Sequence, residues 1–213
     1  MIKGTFNVTE TLARWVKALP LKKQQNMANY IYKASLHYIS QYATGRKENI
    51  PGLVLGIYQA MDEIHEQSKN VMKKNISCKK GCSFCCHINV NITSDEAKVI
   101  TTCCKDAGIT IDYAYLQEQA KDPPMQQALG KHSACVFLKN GECTIYPFRP
   151  MNCRKYFVCS PPLQCDVKRK MSNTVDVFFE LETEIIHSAI VSTLPIGSMA
   201  TMLLKNQTAA AHP

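Results

Sequence analysis

Long apolar runs are missing from this chain. The longest candidate, Ala189 to Leu204, is interrupted by Pro195 and Gly197 and diluted by Ser and Thr. It is too short and too polar to span a bilayer, so no membrane partner is expected. Glycine and proline are sparse, at 9 and 10 of 213 residues, which excludes a fibrous or low-complexity chain. The opening MIKGTFNVTE has no apolar segment and no small-residue cleavage site. It does not read as a secretory signal, and a cytoplasmic location is expected. A Ser/His/Asp order, a phosphate-binding Gly loop, a dinucleotide fingerprint and an internal repeat are also lacking. Acidic residues are outnumbered by basic ones, 17 to 25.

What is abundant is cysteine, at 11 residues. A chain of this length buries a core without needing cross-links. A reducing cytosol keeps thiols reduced, and an odd count argues against a closed disulfide set. The thiols therefore read as ligands of a metal or cluster. The net charge of +8 fits the same idea. A zinc held by four thiolates carries −2, so two such sites would lower it to about +4. Basic residues crowd the cysteines: Lys79, Lys80, Arg149, Arg154, Lys155, Lys168, Arg169 and Lys170. Charge compensation is the reading taken, and nucleic acid is not an expected partner.

Apolar periodicity predicts a mainly α (α+β) fold: a helical domain with a small β-hairpin and a cysteine-rich metal or cluster site. Residues 1–75 form a helical N-terminal region without cysteine. Asn7 to Lys17 reads as a short helix. Met27, Ile31, Ala34, Tyr38 and Tyr42 mark a second helix, and Leu53, Ile57, Met61, Ile64, Ser68 and Val71 a third. Thr44 to Gly52 between them reads as a loop, by its Gly and Pro. Residues 76–195 form a cysteine-cluster domain with a closing helix, and residues 205–213 a frayed tail. His87 to Ile92 is β-like. Thr93-Ser94-Asp95-Glu96 is a capping box opening a helix to about Lys105. Ile111 to Ala120 is a further helix stopped by Pro123-Pro124. Asn140-Gly141 is a type I′ hairpin signal. Pro147 to Gln164 reads as irregular loop. Phe178, Leu181, Ile185, Ala189 and Ser192 mark the closing helix over Asn173 to Thr193.

The first cysteine group is Cys78, Cys82, Cys85 and Cys86, with Gly81 allowing a tight knuckle. The second is Cys135, Cys143, Cys153, Cys159 and Cys165. A local loop supplying several ligands, with distant elements supplying the rest, is common in zinc and iron–sulfur sites. One difficulty is geometric. A two-residue turn pairs Leu138 with Cys143 and places Cys135 on the opposite face. Both reach one centre only if Cys135 precedes the regular strand or a bulge shifts the register. Otherwise they serve different centres, or one is not a ligand.

The spaced order resembles the YkgJ-type cysteine-cluster family of zinc- or iron-chelating proteins. The residues that carry the likeness are Cys78-x3-Cys82-x2-Cys85-Cys86, Cys135-x-Phe137-Leu138, Gly141-x-Cys143-x-Ile145-Tyr146, Arg149-Pro150 and Cys153-Arg154. It spans Cys78 to Arg154, with three residues where the family motif has two between its first cysteines. Cys159 and Cys165 lie beyond it. The resemblance implies a cluster or metal site. A similar cluster in flagellin lysine methylases looks like an iron–sulfur site serving methyl transfer to a protein side chain. That makes a cluster-dependent enzyme the alternative to a metal-binding module.

Four thiolates suit zinc and iron–sulfur clusters alike. The neighbouring pair Cys85-Cys86 is awkward for a single zinc, because adjacent side chains diverge; it is easier to understand if two centres sit close together, or if one of the two is not a ligand. An iron–sulfur cluster is favoured over zinc, with mononuclear iron as the third option. A radical S-adenosylmethionine enzyme also has a Cys-x3-Cys-x2-Cys run, but too little chain follows for its β/α barrel. Glu184-x2-His187, with Glu180 a turn earlier, and Asp62 with His65 have the spacing of di-iron bundles. A full set cannot be assembled, and they are expected on solvated polar faces. His87 and His132 are secondary ligand candidates. Cys103 and Cys104 are read as non-ligands of the helix that carries them. Arg149 and Arg154 are expected to bind the cofactor as donors to the sulfurs, with Tyr146 as a lid. No catalytic residue is assigned.

Overall fold

A computed structural model describes residues 9–72, 75–79, 81–122, 133–166 and 175–211. The described fold is mainly helical, with eight α-helices and two small antiparallel strand pairs, matching the expected class. α1 (Glu10–Ala18), α2 (Leu21–Glu48) and α3 (Ile50–Met72) make up the N-terminal region. The start of the first expected helix, at Asn7, lies outside the described residues; Thr9 caps α1 through its hydroxyl. The loop expected over Thr44 to Gly52 is instead almost all helix. Asn49 alone breaks it, and its side chain accepts the Gly52 amide at 3.0 Å. Pro51 falls in the first turn of α3, where a missing N–H costs nothing. A Cβ at Gly45 would stand 3.0 Å from the end of the Leu53 side chain, a tight contact that Leu53 must shift to relieve.

The buried stripe of α3 is shifted from the expected one. Val54, Tyr58, Met61 and His65 are buried, whereas Val71 is 81% exposed. The helix packs against α2, α4, α6 and α7.

α4 (Ser94–Asp106) begins at the expected capping box: Thr93 accepts the Glu96 amide and Glu96 accepts the Thr93 amide. Two neighbouring stripes of α4 are used. Ala97, Ile100 and Cys104 enter one core with Leu116 of α5 (Tyr113–Gln119) and Leu203 of α8 (Met199–Ala211). Val99 and Cys103 enter a second core with Tyr58, Met151 and Ile186. That second core joins residues on both sides of position 75. A third core holds Leu12, Ile31 and Ile185. α7 (Leu181–Val191) is buried nearly all round, packing on α1, α2, α3 and α6 (Met151–Lys155).

β1 (Asn91–Thr93) is shorter than the expected run and pairs with β4 (Ile196–Ser198). β2 (Leu138–Lys139) and β3 (Glu142–Cys143) pair in the expected register, with Asn140 and Gly141 both at positive φ. The irregular stretch after Pro147 contains a helix, α6, which starts directly after Pro150. The closing helix begins at Leu181; its expected start at Asn173 lies outside the described residues, as do Pro123 and Pro124. The tail expected to fray is the second half of α8, tied back by Asn206 donating to Thr101 at 3.1 Å. No described helix is long and apolar enough to cross a membrane.

Candidate metal centre

The first cysteine group lies after α3. Gly81, at φ +85°, turns the chain so that Cys82 follows tightly, its amide donating to the Lys79 carbonyl at 3.0 Å. Cys85 and Cys86 then sit in a 3₁₀ turn, Phe84–His87. The hairpin brings Cys143, α6 brings Cys153, and Cys135 sits ahead of β2. The expected conflict between Cys135 and Cys143 disappears because β2 is only two residues long. Cys135 precedes it in a turn closed by the Leu138 amide donating to the Cys135 carbonyl at 2.9 Å.

Seven cysteines line one cavity of about 540 Å³: Cys78, Cys82, Cys85, Cys86, Cys135, Cys143 and Cys153. Apolar residues, among them Ile88, Val90 and Met199, form much of the remaining wall. The cavity reaches solvent, for Cys85 is exposed and Tyr146, expected as a lid, is 47% exposed at the wall. Cys159 and Cys165 are not part of this wall. The Cys159 carbonyl accepts from Ser77, and Cys165 is buried in a 3₁₀ turn, Pro162–Cys165. All eleven thiols are free. Among the described residues, no three His, Cys, Asp or Glu side chains are placed to hold one metal ion.

Backbone amides point at three of the sulfurs. The Val158 N–H donates to Cys78 Sγ at 3.4 Å. The Phe137 and Ile145 N–H groups donate to the sulfurs of Cys135 and Cys143. Sequence reasoning missed these donors, although the repeated pattern Cys-x-apolar, in Cys135-Val136-Phe137 and Cys143-Thr144-Ile145, marks two of them. Burial dominates the thiol chemistry. It pushes Cys135 up to about 12, Cys165 up to about 11, and Cys78, Cys143 and Cys153 upward as well. Cys85 is the exception. A hydrogen bond from the Cys86 thiol lowers it, and Arg149 adds to the effect, while the same bond raises Cys86.

The two arginines part company. Arg149 lines the cavity, its guanidinium 4.2 Å from the Tyr146 ring centre and 5.4 Å from that of Phe157. Its Nε is buried without a partner among the described residues, and its charge acts on Cys78, Cys85, Cys143 and Cys153. Arg154 does not reach the cavity. It is buried, pairs with Asp62, and donates to the carbonyls of Pro147 and Arg149. The expected role of Arg154 at the sulfurs is therefore replaced by one of holding the loop that presents Arg149.

The other candidates separate as well. Cys104 is a core residue, 1% exposed, and Cys103 packs on the second core. His87 lies in the 3₁₀ turn, outside the cavity wall. His132 lies outside the described residues. The solvated faces expected for the Glu-x-x-His pairs are a correction. His65, Glu184 and His187 are buried. His65 stacks on Phe157 at 3.7 Å, Glu184 pairs with Lys155 at 2.8 Å, and neither ring nitrogen of His187 has a partner among the described residues. Glu184 and His187 are buried because α7 is covered on nearly all sides, and His65 of α3 because Phe157 and Phe178 pack on its ring.

No family model, no curated protein and no solved structure matches the chain.

Proposed function

We propose that this chain binds a thiolate-ligated metal centre of the iron–sulfur type in the cavity walled by its cysteines. The observation that carries the reading is the convergence of seven thiols from two distant chain segments on one volume. Thiolates are the donors that select zinc and iron–sulfur clusters. Backbone N–H groups aimed at sulfur stabilise the charge that ligation leaves there. Arg149 supplies a cation whose Nε has no hydrogen-bond partner among the described residues.

The choice of cluster over single ion rests on number: seven thiols line the cavity, and one zinc takes four. Zinc–sulfur bonds are about 2.3 Å, so four thiolates on one zinc close around a point. Here the sulfurs stand around a volume of about 540 Å³, room for a group of several atoms. Cys82, Cys85, Cys86, Cys135, Cys143 and Cys153 are the residues that would hold it. The bound group would supply electron transfer. The protein's part is to exclude water with Ile88, Val90 and Met199, and to hold the sulfurs with the Val158, Phe137 and Ile145 amides. Because most of these thiols are held protonated, loading must displace protons.

One observation favours a second reading, the cluster-dependent enzyme: the cavity opens to solvent beside Cys85. Its largely apolar wall weighs against a polar substrate, so metal binding remains the leading conclusion.

Anaerobic purification followed by a visible spectrum, sulfide assay and elemental analysis tests the proposal. A brown protein with acid-labile sulfide is expected, and Cys82→Ser or Cys85→Ser should lose the metal. Colourless protein with zinc would replace the iron–sulfur assignment. Protein that takes up no metal would overturn the reading.

A further inference from the structure

We infer that Glu184 is a positioning residue for Cys153: through its buried pair with Lys155 it clamps the short helix α6, so that the Cys153 thiol keeps a fixed place in the cavity wall. This inference rests on the proposed thiolate centre and deepens it, naming a residue that acts on a ligand without lining the cavity.

α6 is five residues long, Met151 to Lys155. A helix of that length does not hold itself in water, because its nucleation cost is not repaid. Its order must come from outside, and four of its residues are tied to four different elements. The Met151 amide donates to Glu96 of α4 at 2.8 Å. Asn152 donates to the Asn91 carbonyl of β1 at 2.7 Å. Arg154 pairs with Asp62 of α3. Lys155 donates to both carboxylate oxygens of Glu184 on α7, at 2.8 and 3.0 Å. The remaining residue is Cys153, and it lines the cavity. By contrast, the amides of Cys82 and Cys86 bond within their own segment, to the Lys79 and Ser83 carbonyls.

The ties at the two ends differ in kind. Glu96 is 2% exposed and also accepts from Thr93 and Tyr58, so it is bound into α3 and α4 whatever α6 does. Glu184 answers to α6 through Lys155, and the two side chains are 9% and 14% exposed. A buried ion pair adds little net stability over apolar packing, but removing one partner strands the other charge. With Glu184 neutral, the Lys155 ammonium must reach water, and the end of α6 leaves α7 with it. Cys153, two residues earlier, then loses its fixed place.

The test uses the full metal-free chain and reads each thiol by mass spectrometry after N-ethylmaleimide, with hydrogen exchange of the α6 amides alongside. In Glu184→Gln, labelling of Cys153 and exchange at Cys153 and Arg154 should both rise about tenfold. Cys104, in the core on α4, should keep its wild-type rate. Unchanged Cys153 overturns the inference, and so does an equal rise at Cys104, which would mean general loosening. If Glu184→Gln does not fold, the wild type decides. Amides of α6 protected like those inside α7 support the clamp, and exchange as fast as in an unstructured chain overturns it. After anaerobic loading with ferrous iron and sulfide, a folded Glu184→Gln should release iron to a chelator about tenfold faster than wild type. Wild type that takes up no iron overturns the thiolate-centre reading instead, and the metal-free measurements still decide the clamp.

Discussion

The buried guanidinium of Arg154 donates to the Arg149 carbonyl at 2.8 Å, and the guanidinium of Arg149 faces the thiols. One cation holds the loop while the other serves the cavity. Their substitutions should therefore fail in different ways.

For Arg149, the expected effect is on redox potential. Removing a cation beside a thiolate-bound cluster disfavours the reduced, more negative state. Arg149→Gln should shift the midpoint negative, by about 60 mV for each 1.4 kcal/mol of lost interaction. Arg149→Lys should recover part of the shift. Potentiometric titration checks both, and an unchanged midpoint in Arg149→Gln would falsify the assigned role.

For Arg154, the expected effect is on stability. Arg154→Ala strands two carbonyls and the loop between them, at a cost of about 3 kcal/mol. Asp62→Asn should cost about 1 kcal/mol or less, because the Asp62 side chain is 48% exposed and water can replace its partner. Urea unfolding of the two variants measures the asymmetry; equal losses would refute it.

Acid should weaken the fold through His187. Burial, reinforced by Lys155 from α6, holds this imidazole well below its ordinary range, so it is neutral in the folded protein. Glu184, one turn earlier on α7, is paired with Lys155. The unfolded chain takes up a proton below about pH 6.5 that the folded chain does not. Stability is thus present above that pH and lost as pH falls, by about 1.4 kcal/mol per unit. Replacing His187 with Leu should remove this slope. The gap between variant and wild type should widen by about 2 kcal/mol from pH 7 to pH 5. Unfolding curves with the same pH dependence in both proteins would contradict it.

Cys104 provides a control on the thiols. It packs in the core with Ile100 and Leu116, so Cys104→Ala should cost about 1 kcal/mol and leave metal content unchanged. Loss of metal would place Cys104 among the ligands.

Local signals carry most of what can be read from the chain alone. The Thr93 to Glu96 box and the Asn140-Gly141 turn each act within four residues, and both elements form where expected. The grouping of Cys135 with Cys143 is open at the level of sequence because it depends on where β2 starts. What escapes is long-range. β1 is completed by β4, more than a hundred residues later, and α8 is held by Thr101 on α4. Nothing near Arg154 in the sequence distinguishes it from Arg149; Asp62, on a remote helix, makes the difference. Likewise, Glu184 and His187 carry polar side chains into the interior only because neighbouring helices close over α7.

α4 bears on two cores from two neighbouring stripes of its surface. Inserting a single residue near its middle would rotate every later side chain by about 100° about the axis. Cys103 and Cys104 would both leave their places at once, and neither half of the molecule could absorb the change by itself. Changes of length should thus be forbidden inside this shared wall.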